Sequence, residues 1–233
     1  MISLLITGTD TGAGKTTFTC ALLQQAQRAN LQACAMKPIA SGAEFGPAGW
    51  QNDDALKLLA AQNLPIERYS LVNPYCFAEA IAPHLAQQLA NASVDLQVIR
   101  ASYDALAPGA KLMVVEGAGG FLSPLATLEG DQLLEHADLA RALGIADVLL
   151  VVGLKLGCIN HARLSELAIA ASGLRCIGVV LSVLDANMPA LQGNIDTLKA
   201  VLGAPVLAVF DARAVHALDD VLAIIMSKPQ DGC

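Results

Sequence analysis

An apolar segment, Ile2 to Ile6, runs straight into Gly8-Thr9-Asp10-Thr11-Gly12-Ala13-Gly14-Lys15-Thr16. A strand that ends in a glycine-rich turn and reopens as a helix at about Gly14 aims successive backbone N–H groups, and the positive end of the helix dipole, at one point. That point binds phosphate. Lys15 is placed to reach the β- and γ-phosphates of a nucleotide there, and Thr16 to set its hydroxyl on Mg²⁺. The spacing departs by one position from the usual G-x-x-x-x-G-K-T: Thr9 stands where the first glycine is expected, and Gly8 precedes it. An ordinary glycine-rich strand–helix turn is the competing reading, and the strand before the glycines and the helix after them favour the phosphate loop.

The rest of the 233-residue chain suits that start. It is 55% apolar but only 4% aromatic, a composition expected of a parallel sheet buried on both faces by helices. The net charge of −7 argues against nucleic acid or an anionic membrane as the main partner. The most apolar stretch, Ala146 to Leu156, is too short to span a bilayer and carries Asp147 and Lys155. Met1 to Ile6 lacks a basic leader region, so no signal peptide is expected. The cysteines at 20, 34, 76, 158, 176 and 233 form no C-x-x-C pair and no zinc spacing. Reduced thiols in a cytoplasmic protein are expected.

Apolar runs of strand length alternate with amphipathic segments. The pattern predicts strands at Ser3–Thr7, Ala33–Pro38, Leu112–Glu116, Asp147–Gly153, Cys176–Leu181 and Pro205–Val209. It predicts helices at Lys15–Ala29, Asp53–Ala61, Leu96–Leu106, Gln132–Leu143, Ile159–Ser172, Pro189–Leu202 and Val215–Met226. Short strand–helix–strand connections imply a right-handed parallel α/β sheet. The interval Ala40 to Lys111 holds helices but no clear central strand. One domain is expected over residues 1–226, with Ser227 to Cys233 a frayed tail.

Ligands of such sheets bind beyond the carboxyl ends of the strands, and residues there carry the chemistry. Lys37-Pro38-Ile39-Ala40-Ser41-Gly42 follows the second predicted strand. Lys37 is either a second cation for phosphate or another anion, or a lysine snorkelling to solvent. Glu116-Gly117-Ala118-Gly119-Gly120 follows the third, and a carboxylate ending a buried strand suits a metal-holding role. Asn52-Asp53-Asp54 offers a further carboxylate, or an ordinary helix N-cap. Gly153 to His161 opens a later helix, and free amides at Gly157 to Asn160 make a second anion site. Cys158 beside His161 is disfavoured as a covalent nucleophile, because helical geometry separates the two and no third orienting group accompanies them.

Together these segments resemble the dethiobiotin synthetase family up to about Leu207. The matching pieces are Thr7-Gly8-Thr9-Asp10-Thr11, Gly14-Lys15-Thr16, Lys37 to Gly42, Asn73-Pro74-Tyr75, Pro83-His84, Val115 to Gly120 and, most family-specific, Gly153-Leu154-Lys155-Leu156-Gly157-Cys158-Ile159-Asn160-His161. The resemblance implies a three-layer P-loop NTPase fold with a mainly parallel twisted sheet. It implies ATP- and Mg²⁺-dependent carboxylation of 7,8-diaminononanoate by CO₂ and ureido-ring closure, through a carbamate and a carbamic–phosphoric anhydride, in biotin synthesis. Thr9, Asp10, Gly12, Ala13, Gly14, Lys15, Thr16 and Thr17 would hold the nucleotide, with Ser182 near the base. Thr16, Asp54 and Glu116 would hold the metal, and Lys15 and Lys37 would lie between the two reacting anions. Thr11, Ser41 and Gly119 would face the diamine or its carbamate. The substrate carboxylate would sit on Gly157, Cys158, Ile159 and Asn160 of the second subunit of a homodimer.

The chain departs from the family pattern at three places. Gly12 stands where an acidic residue is common, Ser182 where an adenine-contacting Asn is common, and Pro205-Val206-Leu207-Ala208-Val209-Phe210-Asp211 lacks a usual Gly and Pro. The last two leave base preference open. A rival is a non-metabolic ATPase switch of the partition or septum-positioning type. Those proteins carry a lysine where this chain has Asp10, and often a basic or amphipathic segment not found here. A regulatory domain that has lost its chemistry is opposed by Lys15, Thr16, Lys37 and Glu116. A cobalamin-pathway amide ligase would need a glutaminase domain, for which 233 residues give no room.

Overall fold

The protein is described here by a computed structural model covering residues 1–211 and 218–227. In chain order it comprises β1 (Ile2–Gly8), α1 (Lys15–Arg28), β2 (Ala33–Met36), β3 (Ile39–Ser41), β4 (Ala43–Gly46), β5 (Gly49–Asn52), α2 (Asp53–Ala61) and α3 (Tyr69–Val72). Then follow β6 (Tyr75–Phe77), α4 (Pro83–Leu89), α5 (Leu96–Leu106), β7 (Leu112–Gly120), β8 (Ala126–Thr127), β9 (Leu133–Leu134) and α6 (His136–Leu143). The chain continues through β10 (Asp147–Leu154), α7 (Cys158–Ala171), β11 (Arg175–Val183), α8 (Leu191–Val201), β12 (Val206–Phe210) and α9 (Asp219–Met226).

Six strands form one parallel sheet in the order β12-β11-β10-β1-β7-β2. Every residue of β7 from Leu112 to Ala118, and of β10 from Val148 to Leu154, is buried. Successive side chains of a strand point to opposite faces, so helices must cover both. The buried apolar side chains form one cluster from β1 to α9, with Phe18 and Phe210 meeting edge-on at 5.8 Å between ring centres. This is the expected mainly parallel, helix-flanked α/β architecture. The expected Ala40–Lys111 insertion contains short strands, and all of them stand outside the central sheet.

Element ends differ from the sequence reading for local reasons. The second strand stops at Met36, because the Lys37 amide donates to Val72 and Pro38 has no N–H to offer. The third strand runs on to Gly120: its register with β1 shifts between Ile6 and Gly8, and Gly8 then pairs with Gly120. The helix expected from Gln132 begins at His136. Leu133 and Leu134 pair instead with Ala126 and Thr127, and a capping box of Glu135 and Asp138 starts the helix. The helix expected from Pro189 begins at Leu191, after Ala190 in the left-handed region. Residues 215–217 of the last predicted helix, and 228–233 of the tail, lie outside the described residues.

The carboxyl end of β7 is packed against His136. That imidazole is 0% exposed, stacks on Phe121 and lies where a Cβ at Gly117 would come within 2.2 Å of it. The ring is enclosed and has little room to give way, so Gly117→Ala is expected to destabilise by about 1–3 kcal/mol, read as a lower urea midpoint. Burial, then the positive charge of Lys15, brings His136 down from 6.5 to about 4. Between those values the unfolded chain binds more protons than the fold. Stability should therefore fall as pH drops from 6.5 to 4, by up to about 3 kcal/mol. Urea midpoints across that range should drop less steeply for His136→Gln than for the parent chain.

Candidate active site

The turn after β1 uses glycine where nothing else fits. Gly14 caps α1 with φ 94°, and a Cβ there would lie 2.3 Å from Ser182 Oγ. Gly12 also has positive φ, 73°, with open space around it. The first amides of α1 thus open onto a cleft of ≈ 670 Å³ at the carboxyl edge of the sheet. Lys15 is 6% exposed and donates to the carbonyls of Asp10 (3.0 Å) and Gly119 (2.8 Å). Burial, then the like charge of Lys37, lowers it to about 8.

Glu116 is the node of the site. Its carboxylate is 0% exposed at the point where β7 reaches the cleft. Oε1 accepts from Thr16 Oγ1 (2.6 Å) and Lys37 Nζ (3.0 Å), and Oε2 from Thr19 Oγ1 (2.8 Å). Lys37 also donates to Asp54 Oδ2 at 2.8 Å, tying β2, β7 and α2 together through one ammonium. Lys37 is only 5% exposed, so the snorkelling reading fails. Burial works against its charge, but Glu116 and Asp54 outweigh burial and hold it above an ordinary lysine. Burial also pushes the Asp54 carboxyl up, and Lys37, followed by the Thr16 hydroxyl, holds it below the usual range.

The Asn52-Asp53-Asp54 segment serves both of its readings. Asn52 Oδ1 caps α2 by accepting from the Ala55 amide, and Asp54 faces Lys37. The Asn52 amide group donates to the carbonyls of Ser41 (3.1 Å) and Gly42 (2.9 Å), fixing the strand that carries Ser41. Ser41 itself donates to the Ile81 carbonyl.

The structure brings Thr11, Gly12, Gly14, Lys15, Thr16, Thr17, Lys37, Ser41, Asp54 and Gly119 onto the wall of this one cleft. Thr9, Asp10, Ala13 and Ser182 are not on it, and Glu116 lies behind it, closed from solvent and bonded to Thr16 and Lys37. Thr9 Oγ1 accepts from the Gly153 amide at 3.4 Å, and the Asp10 carboxylate pairs with Lys155 at 2.6 Å, which holds its pKa low. Ala13 and Ser182 are 2% and 4% exposed, under the loop. Gly157, Cys158, Ile159 and Asn160 are also absent from the cleft wall. They open α7, with Gly157 its left-handed cap, and Cys158 is buried with Sγ 3.7 Å from Asn194 Oδ1.

Sequence reasoning missed Asn52, Ser123 and Leu184, which line the cleft, and Thr19, which lies behind it. Ser123 Oγ accepts from the Gly120 amide at 3.0 Å. Thr19 carried a readable signal, a hydroxyl three residues after Thr16 on the same helix face.

A family model described as an AAA domain matches residues 3–216. Among solved structures, a chain of the MinC:MinD cell division protein complex of Aquifex aeolicus has TM-score 0.58 at 13% identity, over 100% of this chain and 98% of that one. The signal recognition particle receptor FtsY of Elizabethkingia anophelis with GDP has TM-score 0.52 at 15% identity, over 98% of this chain and 64% of that one. At such identity these show the fold alone. In sequence, the ATP-dependent dethiobiotin synthetase BioD of Xylella fastidiosa strain M12 is 44% identical over 200 residues, 86% of this chain and 85% of that one. The protein of the same name from Xanthomonas oryzae pv. oryzae strain PXO99A is 44% identical, over 86% of each chain. Identity of that extent, on a fold whose cleft gathers Lys15, Lys37 and Asp54 over the buried carboxylate of Glu116, means that the chain belongs to the dethiobiotin synthetase family.

Proposed function

We propose that this protein is the ATP- and Mg²⁺-dependent ligase that joins CO₂ to 7,8-diaminononanoate and closes the ureido ring, giving dethiobiotin, ADP and phosphate. The observation that carries the reading is the convergence of two buried lysines, Lys15 and Lys37, on one cleft whose wall also includes Thr11, Ser41 and the first turn of α1.

The diamine's 7-amino group takes up CO₂ as a carbamate. The carbamate oxygen attacks the γ-phosphorus of ATP, and ADP leaves. The 8-amine then attacks the carbamoyl carbon and expels phosphate, closing the ring. Carbamate and triphosphate repel one another, so the protein's task is to bring positive charge between them. Lys15 exchanges its two neutral carbonyl acceptors for phosphate oxygens. Lys37 is locked in its charged form by two carboxylates and presents a fixed cation to the carbamate side. Thr11 and Ser41 orient the amine and carbamate end, with the Gly119 backbone beside them. No strong general base is required, because a carbamate is already an anion. Mg²⁺, when bound, supplies charge neutralisation at the phosphates, and the all-oxygen set of Thr16, Asp54 and Glu116 suits that hard cation. The two threonines and two carboxylates around Lys37 form the polar end of one continuous core, in keeping with a single domain over residues 1–226.

We further infer a homodimer. The amides of Gly157, Ile159 and Asn160 do not line this chain's own cleft, whereas that of Cys158, expected to be free, donates to the Lys155 carbonyl at 3.0 Å; beside them Leu156 is 96% exposed, Leu164 57% and Leu167 64%. Such an apolar surface seeks a partner, and a second copy laid on it would bring those amides to the substrate carboxylate. Leu156→Glu with Leu164→Glu should give a monomer in sedimentation that still binds nucleotide and has a raised KM for the diamine. The five described cysteines are free, and no described helix is long and apolar enough to cross a membrane, both in keeping with a cytoplasmic site.

The direct test incubates the protein with diaminononanoate, bicarbonate, Mg²⁺ and each nucleotide in turn. Cyclic urea should form only when diamine, bicarbonate, Mg²⁺ and an accepted nucleotide are all present; no urea with any nucleotide ends the proposal. Lys37→Met should lower kcat by about 10²-fold or more while ATP-analogue affinity changes less. It should also lower the melting temperature, since it leaves Glu116 buried without its cation. Lys15 loses its proton near pH 8 in the ligand-free protein. Affinity for a triphosphate should therefore be full below about pH 8 and weaken above it, measured as a rising Kd in calorimetry. A Kd flat from pH 7 to pH 9.5 would remove Lys15 from the phosphate.

A further inference from the structure

Thr19 is 0% exposed, in the second turn of α1, and its hydroxyl lies between two acceptors. One is the carbonyl of Lys15 at 2.9 Å, the ordinary back-bond of a threonine inside a helix. The other is Oε2 of Glu116 at 2.8 Å, across 97 residues of sequence. A hydroxyl has a single proton, and an ionised carboxylate is the stronger acceptor. The proton therefore belongs on the carboxylate. Of the two carboxylate oxygens, Oε1 takes both Thr16 and Lys37, and Oε2 takes Thr19.

We propose that Thr19 is a positioning residue: it pins Oε2 of Glu116 so that Oε1 is kept facing Thr16 and Lys37, which line the cleft. This rests on the reading above that Glu116 belongs to the charge cluster that receives nucleotide and Mg²⁺. Without Thr19, Oε2 is a charged oxygen buried with no donor. The carboxylate then turns to share Thr16 or Lys37, and both of those groups are drawn away from the cleft. A side chain that orients a metal-site carboxylate in this way is worth about 10-fold or more in ion affinity.

The test compares Thr19→Val, Thr19→Ser and Glu116→Gln by calorimetry with a non-hydrolysable ATP analogue, with and without Mg²⁺. Thr19→Val is expected to raise the Mg²⁺ concentration needed for tight analogue binding by about 10-fold, leave Mg²⁺-free binding within twofold, and lower kcat more than it raises the KM for the diamine. Thr19→Ser should restore the Mg²⁺ response. Should Thr19→Val fail to fold, Thr19→Ala carries the same comparison. If the Thr19 variants match the parent while Glu116→Gln does not, the positioning role is wrong and the Glu116 reading stands. If Glu116→Gln also matches the parent, the Glu116 reading falls first. A loss of binding equal with and without Mg²⁺ marks Thr19 as a packing residue and overturns the proposal.

Discussion

The structure is organised around one buried carboxylate. Glu116 is closed from solvent within a central strand, a placement that costs several kcal/mol unless the charge is paired and fully hydrogen-bonded. Meeting that requirement fixes the neighbours. β2 must lie beside β7 so that Lys37 arrives at the same level, and α1 must pack with Thr16 and Thr19 facing the strand. α2 must begin where Asp54 can take Lys37's remaining charge. A well-packed apolar substitute for such a cluster is often equally stable or more so, so stability alone does not account for its presence. It is better explained by what it presents to the cleft, a buried lysine held cationic by the enclosed Glu116 and the partly exposed Asp54.

Close backbone approach is the second constraint. Gly14 sits against Ser182 and Gly117 against His136, at distances no Cβ would tolerate. Both lie at the carboxyl edge of the sheet. A side chain at either position would collide with a buried group and displace the backbone that carries Lys15 or Glu116. The two lysines of the cleft differ in charge according to what surrounds them. Lys15, which has only neutral carbonyls for partners, is brought down to about 8, whereas Lys37, which has two carboxylates, is raised. Two lysines in one cleft are thus made chemically unlike: one adapts to an incoming anion and the other is fixed.

Most of this was legible in the sequence where local signals and burial agreed. The six central strands follow from uninterrupted apolar runs, and Lys37 and Glu116 stand out as charges that end them. The strand ends were less legible because they depend on partners distant in sequence. Met36 ends β2 because Lys37's amide turns to Val72, and β7 outlasts its apolar run because a bulge lets Gly120 pair with Gly8. Leu133 and Leu134 fit a helical pattern as well as a hairpin, and only the capping box at Glu135 decides between them. Thr19 went unread because a threonine inside a helix normally satisfies itself on the preceding turn. Its second partner is 97 residues away.

The likeness to a MinC:MinD chain and to FtsY shows how little of the chemistry the fold itself decides. At 13% and 15% identity the likeness extends to the fold alone. The separation lies in particular side chains. Asp10, in the phosphate loop, is engaged by Lys155 from the loop ahead of α7. That ion pair joins the phosphate loop to the segment that leads into α7. The acidic residue of the loop is thus paired off, and Lys37, just beyond β2, brings positive charge to the cleft. Thr11 and Ser41 line the same cleft as Lys15 and Lys37, and in the proposed reaction they face the second substrate beside the nucleotide. A ligase needs room for both.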